Sequence, residues 1–265
     1  MKTGKVFAEV KESICLKPGF YRLVLKAPQM AKEAKPGQFA MLWPTKSQEP
    51  LLGRPISLHG IDPKKGEVSF LYQTVGRGTA LLANLEAGNE IGILGPLGNG
   101  FTLQSNAKKV VLVAGGIGIA PLLPLAAALK NEGKKVELLF GAAKCDFLVG
   151  MDAFADLGCA VAVATVDGSL GQKGLATDLL KDSLAKERPG HIYACGPKPM
   201  LKAVAEIATE AGIPCQISLE ERMGCGFGVC MGCVCHQKDE NGKEKLARVC
   251  KEGPVFEADE VIWHG

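Results

Sequence analysis

Three cysteines on one glycine-rich loop constrain this chain more than any other feature. Cys225, Cys230 and Cys233 form a C-x4-C-x2-C run, and Cys250 follows after sixteen intervening residues. A two-iron cluster needs four thiolates converging on a compact object, and one loop can deliver three only if its backbone turns tightly. Gly224, Gly226, Gly228 and Gly232 supply that freedom. The spacing is that of a plant-type [2Fe–2S] site with Cys225, Cys230, Cys233 and Cys250 as ligands. The competing reading is a four-cysteine zinc site, although structural zinc is usually held by two separated short cysteine pairs. Cys235, two residues past Cys233, reads as a spare thiol.

Cellular context supports a redox or metal role for these sulfurs. The opening stretch, MKTGKVFAEV, has neither an apolar h-region nor a small-residue cleavage site. The expectation is therefore a cytoplasmic, reducing location, where ten cysteines do not form a disulfide framework. Net charge is only +3, so no nucleic-acid partner is implied. Val110 to Leu129 is an uncharged run long enough to span a membrane. Gly115, Gly116, Gly118, Pro121 and Pro124 interrupt it, and such punctuation belongs to a soluble strand, turn and helix.

The pattern along the chain changes twice. Up to about residue 101, short apolar or alternating runs (Lys5–Val10, Tyr21–Lys26, Gln38–Trp43, Ile56–Gly60, Glu67–Gln73, Glu90–Leu94) are separated by Gly, Pro and Asp turns. This spacing predicts a small antiparallel barrel. From 102 to 212, predicted strands at Val110–Ala114, Val136–Phe140, Ala160–Val166 and His191–Cys195 alternate with predicted helices at Pro121–Asn131, Ala176–Ala185 and Pro199–Ala211. Alternation of this kind predicts a doubly wound parallel sheet. Residues 213–265 are rich in cysteine and glycine, with few helix signals. The fold class is multidomain α+β, with units at 1–101, 102–212 and 213–265.

Three glycine-bearing loops follow predicted strand ends. The run Val110-Val-Leu-Val-Ala-Gly-Gly-Ile-Gly-Ile-Ala-Pro121 is a strand, a turn and a helix start. Such a turn seats a pyrophosphate on backbone N–H groups, yet alone it fits a ligand-free βα connection equally well. Thr165-Val-Asp-Gly-Ser169 and Ala194-Cys-Gly-Pro197 occupy two more strand ends, where open α/β sheets bind ligands. In the β region, Arg54-Pro-Ile-Ser57 precedes Leu71-Tyr-Gln-Thr-Val-Gly-Arg-Gly-Thr79. Arg54 suits a phosphate, Gly78 and Thr79 can donate to one, and Tyr72 can pack on a flavin ring. An ordinary exposed arginine is the alternative for Arg54.

Together, Arg54–Ser57, Gly76-Arg-Gly-Thr79, Gly115-Gly-Ile-Gly-Ile-Ala-Pro121 and Cys195-Gly-Pro197 resemble the ferredoxin–NADP reductase superfamily. The blocks Ser218–Cys233 and Val249–Phe256 narrow the resemblance to the electron-transfer subunits of B-type dihydroorotate dehydrogenases, over essentially the whole chain. The resemblance implies an FAD-binding barrel contacted by Arg54, Pro55, Ile56, Ser57, Leu71, Tyr72, Gln73, Gly78 and Thr79. It implies an NAD site lined by Gly115, Gly116, Gly118, Asp167, Cys195 and Gly196. It also implies a [2Fe–2S] cluster on the four named cysteines. The implied partner is an FMN-containing subunit that oxidises dihydroorotate to orotate in pyrimidine (UMP) biosynthesis, two of each subunit forming a heterotetramer. Electrons would pass from the partner's FMN to the cluster, to FAD and to NAD+.

Several residues carry narrower expectations. Gly141-Ala-Ala-Lys-Cys145 offers no arginine pair for a 2′-phosphate, which favours NAD over NADP. No catalytic acid or base is expected, because hydride transfer to flavin needs positioning. Cys195 is expected to pack beside the nicotinamide, not to act as a nucleophile. Glu220 and Glu221 either border the flavin or face solvent, and Trp263 covers a subunit contact or packs internally. Two other functions fit the sequence less well. One is a reductase subunit for a sulfide, ferredoxin or hydrogenase system. The other is a zinc-bearing interaction module on a degenerate reductase scaffold.

Overall fold

The computed structural model describes residues 4–45, 49–104 and 106–264. Six strands form the first unit: β1 (Val6–Lys17), β2 (Phe20–Lys26), β3 (Phe39–Trp43), β4 (Arg54–Asp62), β5 (Glu67–Gln73) and β6 (Glu90–Leu97). They close an antiparallel barrel in the order β1-β2-β5-β4-β3-β6. Closure follows from the alternating pattern. Leu23 and Leu25 of β2 lie opposite Phe70 and Val68 of β5, and all four point into the core with Val10, Leu58, Ile91 and Ile93. Each such side chain contributes about 1.5–3 kcal/mol by leaving water, and a closed barrel leaves no edge to aggregate. Two short helices were not expected from the sequence: α1 (Pro28–Glu33), which adds Met30 and Ala31 to the barrel core, and α2 (Arg77–Ala83), which adds Leu82.

The second unit contains β7 (Lys109–Gly115), α3 (Leu122–Asn131), β8 (Lys135–Ala142), α4 (Asp152–Asp156), β9 (Ala160–Thr165), β10 (Gln172–Lys173), α5 (Ala176–Lys186), β11 (His191–Cys195), α6 (Lys198–Glu210) and β12 (Cys215–Ser218). Side chains of β7 alternate between two layers. Val110, Leu112 and Ala114 pack with Leu125 and Leu129 of α3, whereas Val111 and Val113 pack with Leu180 of α5 and Leu201 and Val204 of α6. A central strand buried on both faces reads as a continuous apolar run, which explains the uncharged stretch starting at Val110. No helix among the described residues is long and apolar enough to cross a membrane.

The C-terminal segment adds β13 (Val234–Lys238), β14 (Glu244–Arg248) and β15 (Val255–Glu257). β13 and β14 form a separate antiparallel ribbon. β15 instead joins the large sheet, whose order is β10-β9-β8-β7-β11-β12-β15. All pairings in that sheet are parallel except β12 with β15. The sheet thus runs past residue 212 and takes two strands from the 213–265 segment. At four and three residues, both are too short for a periodic signal. Barrel residues Phe39 and Met41, sheet residue Ile217, Leu219 just after β12, and Cys233, Val249 and Phe256 share one hydrophobic core.

Candidate functional site

The first site is a cleft of about 350 Å³ between barrel and sheet. Its barrel wall is Arg54, Pro55, Ile56 and Ser57 of β4, Leu71, Tyr72 and Gln73 of β5, and Thr79 of α2. Its other wall is Ile117 and Ala120 from the turn after β7, with Leu219, Glu220, Glu221 and Met223 after β12. The barrel residues expected from sequence therefore converge. Gly78 stands behind them: a Cβ there would run into the Arg54 guanidinium, so only glycine lets that side chain lie flat. Partial burial lowers the Arg54 pKa, but a guanidinium stays charged and suits a phosphate.

Two polar groups bear on what the cleft holds. The Tyr72 hydroxyl is buried without a hydrogen-bond partner among the described residues, and its ring stacks on Tyr21 at 6.0 Å. An orphaned buried hydroxyl is costly unless a ligand satisfies it. Thr79 differs from expectation. Its Oγ1 donates to the Gly76 carbonyl (2.9 Å) and accepts from the N–H groups of Val75 (2.9 Å) and Gly76 (3.2 Å). The hydroxyl is spent on its own loop. A mostly apolar cleft with one arginine and one unsatisfied phenol on its barrel wall, and Glu220 and Glu221 opposite, fits an isoalloxazine with its phosphate at the arginine.

The second cavity, about 520 Å³, lies outside the carboxyl ends of the parallel strands. Gly115 ends β7 and Gly116 and Ile117 follow it, Gly141 and Ala142 end β8 and Ala143 follows them, Val166 follows β9, and Pro197, Pro199 and Met200 follow β11. This is where open α/β sheets take nucleotides. Gln73 and Ile117 line both cavities, so the two adjoin. Not every expected residue lines the second one. A Cβ on Gly118 would sit 2.7 Å from the Gly196 Cα, so this glycine permits close loop packing. Gly196 in turn lies against the Gly115 backbone. The Asp167 carboxylate accepts from the Ser169 N–H (2.9 Å) and hydroxyl (2.6 Å), closing its own loop.

Cys195 is fully buried. Burial, then the Glu220 carboxylate, raises its thiol well above the ordinary range, the opposite of what a nucleophile needs. Glu220 lines the flavin cleft beside it, and although the residue is exposed, the surrounding cleft walls desolvate its carboxyl and raise it. Apolar lining residues such as Phe20, Phe39, Phe147 and Met223 carried no motif that sequence could have flagged.

The third site is the cysteine loop. The N–H groups of Val229 and Cys230 donate to Cys225 Sγ at 3.3 and 3.5 Å, and the Cys250 N–H donates to Cys233 Sγ at 3.4 Å. Gly226 and Gly228 have φ of 83° and 88°, a region that glycine enters freely. A Cβ on Gly224 or Gly232 would lie 3.2 or 3.5 Å from Cys230 Sγ. Arg248 braces the loop, donating to the Gly228 carbonyl (2.7 Å) and, from Nε, to Glu252 (3.0 Å).

The thiols themselves favour a bound cation. Burial raises Cys225, but backbone N–H groups of Cys230, Phe227 and Val229 outweigh it and bring it down to about 6. Cys250 is pushed up to about 12, by burial and then by Cys233. Thiolates this crowded repel one another unless positive metal lies between them. Cys235 is buried on β13 and raised to about 11 by burial, Glu221 and Cys233, as suits a thiol that stays protonated. Met223, two residues before Cys225, lines the flavin cleft.

Fold and sites define an iron–sulfur flavoprotein reductase with a nicotinamide-nucleotide unit. The family model for the iron–sulfur cluster binding domain of dihydroorotate dehydrogenase B matches residues 220–262, and that for the oxidoreductase NAD-binding domain matches 112–206. The chain belongs to the family of electron-transfer subunits of NAD-dependent dihydroorotate dehydrogenase B. The Desulforamulus reducens member is 38% identical over 98% of this chain and 99% of its own, and the Bacillus caldolyticus member is 42% identical over 91% and 92%. Among solved structures, one from an NADH-dependent reduced ferredoxin–NADP oxidoreductase, described for flavin-based electron bifurcation, is 31% identical with a TM-score of 0.86, covering 99% of this chain and 92% of that one. A ferredoxin–NADP+ reductase from Neisseria gonorrhoeae, at 18% identity and TM-score 0.66 over 82% and 94% of the two chains, shares the fold.

Proposed function

We propose that this chain carries electrons between a dihydroorotate-oxidising partner subunit and NAD, using FAD and one [2Fe–2S] cluster. The observation that carries this reading is continuity. The flavin cleft adjoins the nucleotide cavity at Gln73 and Ile117, and its Met223 stands two residues from a cluster ligand. A flavin exchanges hydride with nicotinamide and single electrons with an iron–sulfur cluster, so it belongs between them.

The residues then take the following roles. Arg54, beside Gly78 and Thr79, holds the FAD phosphate. Pro55, Ile56, Ser57, Leu71, Tyr72 and Gln73 position the ring. Gly115 and Gly116 admit the dinucleotide, while Gly118, Cys195 and Gly196 shape the loops behind it, and Asp167 fixes the loop after β9. Cys225, Cys230, Cys233 and Cys250 hold the cluster. Lys144, the cation after β8, is paired with Asp146 at 2.9 Å, which supports NAD over NADP. Residues 1–101, 102–212 and 213–265 serve as flavin, nucleotide and cluster units, the last lending β12 and β15 to the nucleotide sheet. The partner contains FMN and assembles with this chain two by two.

Co-expression with an FMN-containing barrel subunit tests the reading. A stable complex that reduces NAD+ with dihydroorotate, while this chain alone only oxidises NADH with an artificial acceptor, is the expected result. A second reading, a ferredoxin-linked reductase subunit, draws on the 31% identical structure. Ferredoxin reduction without dihydroorotate turnover would favour it.

A further inference from the structure

Away from the cysteine loop, the β13–β14 ribbon and the tail after β15 bring three metal-binding side chains to one face. In the ribbon, His236 lies opposite Leu246 and Lys238 opposite Glu244, so His236 and Glu244 are diagonal neighbours. Diagonal pairs on one face are within reach of long side chains. The tail is held beside β13 by the Ile262 N–H to the His236 carbonyl (2.9 Å) and the Lys238 N–H to the Glu260 carbonyl (2.7 Å). It delivers His264, whose Nε2 lies 2.9 Å from Glu244 Oε1. His236 Nδ1 contacts the same oxygen. The two imidazoles meet edge to face, centroids 4.2 Å apart. All three donor atoms lie within 4.8 Å of one another.

We propose that His236, Glu244 and His264 form a second metal site, one that takes zinc. Two imidazoles and one carboxylate are the nitrogen and oxygen donors zinc prefers, with water as the fourth ligand. Tetrahedral zinc at its usual bond lengths holds donor atoms about 3.3 Å apart; His264 Nε2 stands 2.9 Å from Glu244 Oε1, and no pair of the three exceeds 4.8 Å. Each imidazole offers a lone pair by moving its proton to the other ring nitrogen, a tautomer change with no change in charge. The side chains are 41–54% exposed, so the site is open to solvent metal. The nearby ammonium of Lys238 is turned to the Asp259 carbonyl (2.9 Å) and does not fill it. Bound zinc would clip the tail to β13, whose first residue follows Cys233.

The test uses the full chain loaded with flavin and cluster, dialysed against zinc chloride and assayed for zinc and iron by mass spectrometry. One zinc per chain, at unchanged iron content and an unchanged reduced-cluster EPR spectrum, is expected. H264Q and E244Q should each weaken zinc binding at least about tenfold with iron unaffected. Failure of the wild-type chain to take up zinc, or equal uptake by both variants, overturns the proposal.

Discussion

His59 Nδ1 on β4 lies 3.1 Å from the carbonyl oxygen of Ala120, and since a carbonyl only accepts, that nitrogen carries the proton. The bond crosses from the barrel to the turn that follows β7, and Ala120 lines the flavin cleft. His59→Phe keeps the bulk but leaves a buried carbonyl unpaired, costing about 1–3 kcal/mol. A lower melting temperature and faster flavin release, followed by flavin fluorescence, are the expected outcomes.

Acid should weaken the fold through two histidines. Burial lowers His59 and His191 from 6.5 to about 4, and His191 has no hydrogen-bond partner among the described residues at either nitrogen. Between these values the unfolded chain binds protons that the folded chain refuses, so stability falls as pH drops from about 6.5 towards 4. Each group accounts for roughly 3 kcal/mol at most. Urea titrations at pH 7.5 and 5 should show a smaller loss for His191→Phe than for the wild type.

The glycine behind Arg54 can be filled. Gly78→Ala drives a methyl into the guanidinium and should reduce FAD affinity by roughly tenfold, about 1.4 kcal/mol. Arg54→Lys removes the planar fork and should act in the same direction. Fluorescence titration of deflavinated protein reads both.

Cys230 is the exposed member of the cysteine set, whereas Cys233 and Cys250 are buried. Cys230→Ser should abolish transfer to or from the partner while leaving NADH oxidation by a dye partly intact. Parallel assays of dihydroorotate-dependent NAD+ reduction and NADH-dependent dye reduction check this. Equal loss of both in a folded, flavin-loaded variant would contradict the order cluster, flavin, nicotinamide.

The barrel was legible in sequence because short apolar runs such as those holding Leu23 with Leu25 and Val68 with Phe70 end at Gly, Pro and Asp turns, and β7 because its apolar run is too punctuated for a membrane. Helix α2 was not, since Gly76-Arg-Gly-Thr79 reads equally as a phosphate loop, and the Thr79 hydroxyl turned out to serve the loop itself. The cysteine loop, which the iron–sulfur domain match covers, carried its signal in spacing, because the proposed ligands are close in sequence. The nucleotide wall was harder. Gly118, Asp167 and Cys195 stand at the right strand ends, but only tertiary packing decides which residue of a turn faces the cavity and which supports it. The His236–Glu244–His264 group had no local signature, because its members come from two strands and a returning tail.

The return of the chain to β12 through β15 ties metal delivery to sheet integrity. The four cysteines proposed to hold the cluster lie on an excursion that leaves one strand and comes back as its antiparallel neighbour. A chain that never receives iron has a loosened excursion, and with it an unguarded row of backbone donors and acceptors along β12 that invites intermolecular pairing. Starving the producing cells of iron should therefore yield insoluble protein, not merely colourless protein.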